Sequence, residues 1–155
     1  MVSLNSCFNP FAPAVDETIG QETGIISDRS NIEGIFTNLR YAYMLKDTLV
    51  YSQLLADDFI FEYMDYDRNV SVSWGRTEEM QVTYGLFQNT ERLDLVWNEI
   101  NSITGDSTRV SRTFILNITF NPTDIVYING RVDLQLIKGM DNRWQILRWE
   151  DTANY

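Results

Sequence analysis

Apolar positions along this chain change rhythm once, and the change separates a helical first half from a strand-rich second half. Ile32, Ile35, Phe36, Leu39 and Tyr43 recur at helical spacing, and Ser30-Asn31-Ile32-Glu33 ahead of them fits a capping box. A first helix is therefore expected over Asn31 to Lys46. Asp47 is placed to cap a second helix through Asp57, with Leu49, Leu54, Leu55 and Ala56 as its apolar positions, leading into a strand from Phe59 to Tyr66. A third helix, Thr77 to Gln88, turns Met80, Tyr84 and Phe87 to one side. From there period two takes over. Leu93, Leu95 and Trp97 alternate with polar residues in one strand, and Val110, Phe114, Leu116, Ile118 and Phe120 do so in the next. Strands Asp124 to Lys138 and Arg143 to Asp151 complete the chain. The turns Asn121-Pro122-Thr123-Asp124 and Gly139-Met140-Asp141-Asn142 make the last three strands antiparallel neighbours.

Helices first and a strand meander after them predict an α+β domain, a curved antiparallel sheet packed on about three N-terminal helices. Pairing Lys138 with Arg143 sets Val132 opposite Trp149 and Leu134 opposite Leu147. Arg131 then meets Glu150 and Asp133 meets Arg148, a ladder of opposite charges on the other face. In the strand Asp124 to Lys138 the apolar residues change from odd positions (Ile125, Tyr127) to even ones (Val132, Leu134, Leu136). A bulge at Asn129-Gly130 would restore one apolar face. It also places Phe114 opposite Val132, Arg112 opposite Leu134 and Val110 opposite Leu136, so that Arg112 points into the apolar side. A guanidinium there needs a carboxylate, supplied by the protein, with Glu62 or Glu99 as candidates, or by a ligand. The ligand alternative defines a pocket anchored by Arg112 and Glu62, against Leu134 and walls of Tyr43, Tyr63, Trp74, Tyr84, Trp97 and Trp149.

Composition removes whole classes of chemistry. The chain has 155 residues, room for one domain, here 25 to 155, behind a proline-containing arm of residues 1 to 24. A formal charge of −10 with only two lysines disfavours nucleic acid and anionic lipid as partners. Histidine is absent, which excludes a Ser/His/Asp triad, a Cys/His pair and any histidine-based zinc site. Cys7 is the single cysteine, so no internal disulfide forms. Asp65-Tyr66-Asp67-Arg68-Asn69 starts like a calcium loop but carries Val70 where that loop needs glycine and Arg76 where it needs glutamate. Asn117-Ile118-Thr119 matches a glycosylation triplet inside a predicted strand. No metal and no cofactor is expected.

Two resemblances go further. Leu54-Leu55-Ala56-Asp57-Asp58-Phe59-Ile60-Phe61, Trp74-Gly75-Arg76 ahead of a helix, Gly130 within a long strand and Trp144-Gln145-Ile146 in the last strand resemble the nuclear transport factor 2-like superfamily, also called polyketide cyclase-like or cystatin-like. The resemblance implies a cone-shaped α+β barrel and a homodimer through the exposed sheet face, where Trp144, Ile146 and Ile137 sit among charges. Members of isomerase, dehydratase and epoxide hydrolase type do acid/base chemistry in the cone. The Arg131-Val132-Asp133 step with Asp151 is similar to the last of these. Leu4-Asn5-Ser6-Cys7 resembles the end of a bacterial lipoprotein signal, which implies lipid on Cys7 and a place in the cell envelope; the alternative is a free thiol on a cytoplasmic protein. For function two readings stand: a non-catalytic module binding a small apolar ligand or a protein partner, and a histidine-independent isomerase, dehydratase or hydrolase. In the second, Arg112 polarises a carbonyl or carboxylate and Glu62 or Asp133 is the base.

Overall fold

A computed structural model describes residues 27–152; the arm and Cys7 lie outside the described residues. Helices α1 (Ile32–Leu45) and α2 (Thr48–Leu54) come first, then strands β1 (Leu55–Asp65) and β2 (Val70–Gly75). Helix α3 (Arg76–Asn89) follows, and β3 (Arg92–Ile103), β4 (Arg109–Asn121), β5 (Asp124–Lys138) and β6 (Trp144–Asp151) complete the domain. The strands form one open sheet in the order β2-β1-β6-β5-β4-β3. Its single parallel pair is β1 with β6, so the sheet is mixed rather than wholly antiparallel. One face curves over the helices, which is the expected α+β cone architecture.

Local chemistry explains the element ends. Asn31, not Ser30, is the cap of α1: its side chain accepts from the Gly34 amide at 2.8 Å, and Lys46 closes the helix in the left-handed region. Asp47 caps α2 by accepting from the Leu49 and Val50 amides. That helix stops at Leu54 because the segment from Leu55 to Phe59 already belongs to β1, three to four residues before the apolar pattern suggested. The calcium-like segment is the turn of a hairpin, with Asp65 accepting from the Arg68 amide and Asn69 at φ 53°. Its second arm, β2, was not foreseen. Val70 to Gly75 alternates serine with apolar residues and lies at the sheet edge.

Register departs from expectation in both β5 and β6. β4 and β5 pair without interruption through Asn129 and Gly130, so no bulge lies there, and Phe114 meets Gly130, Arg112 meets Val132 and Val110 meets Leu134. Inward positions of β5 stay even throughout, with Ile128 buried, while Ile125 and Tyr127 face outward. The irregularity falls in β6 instead. Leu136 pairs with Ile146 but Gln135 with Arg148, leaving Leu147 over, so Trp144, Ile146 and Trp149 all turn inward. The expected charge ladder is therefore absent: Asp133 lies opposite Glu150, Arg131 bonds Asp133 along its own strand at 3.1 Å, and Arg148 pairs with Glu62. The same shift corrects the expected association face, because Trp144 and Ile146 are core and only Ile137 is exposed.

The segment before α1 is fastened to it by Asn38, fully buried, whose amide nitrogen donates to the Gly34 and Ser27 carbonyls at 2.7 Å. That crossing leaves no room at Gly34, where an added Cβ would lie 1.7 Å from the Asp28 carbonyl oxygen. In α3, by contrast, a Cβ on Gly85 meets nothing within 4 Å. Gly34→Ala should cost about 3 kcal/mol through this overlap. Gly85→Ala should stabilise by about 0.5–1 kcal/mol, the usual gain for alanine over glycine within a helix. Urea unfolding of the two variants checks both signs, and equal effects at the two positions would contradict the crossing described.

Candidate functional site

Between the helices and the inward sheet face lies a cavity of about 400 Å³, within the range of about 300–1,000 Å³ usual for small-molecule sites. Five residues expected at a pocket line it: Tyr43, Tyr63, Trp74, Trp97 and Trp149. Their placement follows from strand parity. Phe61 and Tyr63 are odd positions of β1 and share a face with Trp149, whose neighbour across the parallel pair is Phe61. Trp74 reaches the same space from the edge hairpin, stacking on Phe61 with ring centres 4.7 Å apart and 17° between planes. Trp97 closes the far side, its indole N–H donating to the Phe36 carbonyl at 3.0 Å.

The expected anchor is elsewhere. Arg112 does lie on the inward parity of β4, but its Nη1 is held by both carboxylate oxygens of Glu33 at 3.0–3.1 Å. Its Nε donates to the Asn98 carbonyl, and the guanidinium lies 4.6 Å over the Phe36 ring. It is outside the cavity lining. Its carboxylate partner is Glu33 from the first turn of α1 rather than Glu62 or Glu99. Glu62 is turned to the outer face, where it accepts from Ser71 and Arg148, and those contacts hold its carboxyl below the usual range. Leu134 is core beneath Trp149 without lining the cavity, and Tyr84 is 55% exposed on the far side of α3. Arg131 and Asp133 pair with each other outside while Asp151 lines the cavity, so no Arg-x-Asp site assembles.

What the sequence reading missed is Glu79. It is 4% exposed, lines the cavity, and takes three hydrogen bonds from three elements. Tyr51 of α2 donates its hydroxyl to Oε1 at 2.7 Å, Thr83 of α3 donates to Oε1 at 3.0 Å, and Trp74 of β2 donates its indole N–H to Oε2 at 2.6 Å. A carboxylate offers about four acceptor positions, so one remains, on Oε2. The inward stripe of α3 is Glu79, Thr83 and Phe87, one residue behind the stripe expected from Met80 and Tyr84. Four-residue spacing of Glu79, Thr83 and Phe87 was the available signal. It was masked because an acidic residue in a helix's first turn is ordinary, favoured by the helix dipole.

Burial pushes the Tyr51 phenol well above its ordinary value, with Tyr43 and Glu79 adding to the effect. It therefore stays a donor at neutral pH. Because its folded proton affinity exceeds the unfolded one, its contribution is complete below the unfolded value near 10 and is lost as pH rises beyond it. Tyr51→Phe should cost about 1–2 kcal/mol at pH 7 by leaving a Glu79 acceptor unmet. Denaturation midpoints between pH 9 and 11.5 should fall more steeply for the unsubstituted protein than for Tyr51→Phe; parallel slopes would refute the assignment.

No family model matches the sequence, and no curated protein matches it. Solved structures do share its fold. The Kfla4162 protein from Kribbella flavida superposes with a TM-score of 0.69 at 14% identity, over 83% of this chain and 91% of that one. A scytalone dehydratase-like protein from Novosphingobium aromaticivorans gives 0.67 at 14% identity over 80% and 82%. A nuclear transport factor 2-like protein from Shewanella baltica gives 0.58 at 10% identity over 80% and 91%.

Proposed function

We propose that this chain, whose fold is nuclear transport factor 2-like, is a receptor for a small, largely apolar ring-bearing molecule. The observation that carries the reading is the cavity itself: aromatic walls from both sheet and helices, and two acidic side chains, Asp151 and the buried Glu79, the latter with an acceptor position left over. Apolar walls supply the binding energy and a polar contact at Glu79 fixes the orientation, the usual division of labour in such sites. The expected catalytic pair of Arg112 with Glu62 or Asp133 is dispersed over other faces. That favours binding over turnover.

An acid/base enzyme is the second reading, and one observation favours it: Glu79 and Asp151 line the same space, in a fold shared with a scytalone dehydratase-like protein. In that case Glu79 takes a proton from the ligand through its remaining acceptor position, and Tyr51 and Trp74 hold the carboxylate in place.

Neutral N-phenyl-1-naphthylamine should bind with saturable one-to-one fluorescence enhancement. Leu116→Trp, which fills the wall, and Val82→Trp, at the rim, should each weaken it at least tenfold while thermal midpoints confirm folded protein. An unchanged titration in both folded variants, or no binding at all, would remove the receptor reading.

A further inference from the structure

We infer that the ligand of this cavity is an organic cation, a primary or secondary ammonium carried on a compact apolar ring. The inference rests on the receptor reading and adds to it the sign of the ligand's charge. Among the residues lining the cavity, Glu79 and Asp151 are acidic and none is lysine or arginine, while histidine is absent from the chain. Tyr51, Thr83 and Trp74 satisfy three acceptor positions of Glu79, but all three are neutral. Glu79 belongs to none of the ion pairs among the described residues. A carboxylate removed from water is compensated far better by an opposite charge than by neutral dipoles alone. The described residues supply none here, so the ligand is the remaining source.

The walls fit the same charge. Aromatic faces attract cations through their negative ring centres, best for tryptophan. Phe61, Trp74 and Tyr63 form one continuous surface, with Tyr63 edge-on to Trp74 at 5.7 Å. Trp74 serves twice. Donating its indole N–H to Glu79 polarises electron density toward its ring, which strengthens the face it presents. The open position on Oε2 asks for an N–H, which a primary or secondary ammonium has and a quaternary one lacks. A net charge of −10 raises the local concentration of cations around the whole molecule.

Matched probes isolate the charge. At pH 7, 2-phenylethylamine and 2-phenylethanol have nearly the same size and each offers a donor, and only the amine is charged. Isothermal titration of the full chain should show the amine binding at least tenfold tighter, with benzyltrimethylammonium between the two. Glu79→Gln should bring the amine-to-alcohol ratio within about threefold, and the contrast in the unsubstituted protein decides the matter if that variant does not fold. Equal or tighter binding of the alcohol overturns the cationic ligand and leaves the receptor reading standing. So does failure of both ammonium probes where the neutral naphthylamine dye binds. Failure of the dye as well overturns both.

Discussion

A carboxylate buried without a basic partner is the constraint around which the helical side of this domain is arranged. Neutral donors must come to Glu79 from wherever the chain can provide them, and each arrives on a different element: Tyr51 on α2, Trp74 on β2, Thr83 on α3. Their convergence fixes the angle of α3 against the edge hairpin and the depth of α2 beneath it. It also holds open the space beside them, because side chains committed to Glu79 cannot collapse into the cavity. Tyr51 shows how far the arrangement goes. It is fully buried, with Tyr43 and Phe87 packed edge-on against it at 5.9 and 6.4 Å, so its hydroxyl has Glu79 as the partner that makes burial tolerable.

The other end of the cone solves the opposite problem. Arg112 would be a buried cation, and α1 brings Glu33 to meet it while Asn98 and the Phe36 ring take the rest of the guanidinium. Glu33 is exposed, so this bridge is solvent-screened and adds little stability; its role is to let an arginine occupy an inward strand position at all. One charge is thus neutralised within the fold and the other is not. Position separates them. Arg112 lies within reach of Glu33 in the first turn of α1, whereas Glu79 lines the cavity beside Trp74 of the edge hairpin, where none of the lining residues is lysine or arginine.

Much of the architecture could be read in the sequence because it rests on periodicity, which is local. The helices, the long strands and their α+β class come from which residues repeat at 3.6 or at 2. Part of the cavity wall was legible too, since Tyr43, Tyr63, Trp74, Trp97 and Trp149 are aromatic residues that turn toward it from those elements. Register was not. Two breaks in alternation were available, one in β5 between Tyr127 and Val132 and one in β6 between Ile146 and Trp149, and only the second is structural. The first is harmless because Ile128 already points inward and Gly130, opposite Phe114 on the neighbouring strand, has no side chain to place. Nothing local distinguishes a bulge from an outward-facing isoleucine. β2 was missed for the related reason that edge strands need only a weak apolar pattern.

Charge placement was the least legible feature, and the way it went astray is informative. Reasoning from the sequence asked which charged residue falls on an apolar stripe and found Arg112, which strand parity makes conspicuous. The same question asked of α3 returns Glu79, but a helix stripe shifted by one residue hides it, as the choice of Met80 over Glu79 illustrates. The two answers imply ligands of opposite sign. A pocket built on Arg112 would take an anion; one built on Glu79, with neutral donors beneath and ring faces around it, is complementary to a cation. A single position of helical phase therefore separates two incompatible accounts of what the cavity recognises. The proposed cationic ligand follows the second account, because Arg112 already has its counterion and Glu79 has only dipoles among the described residues.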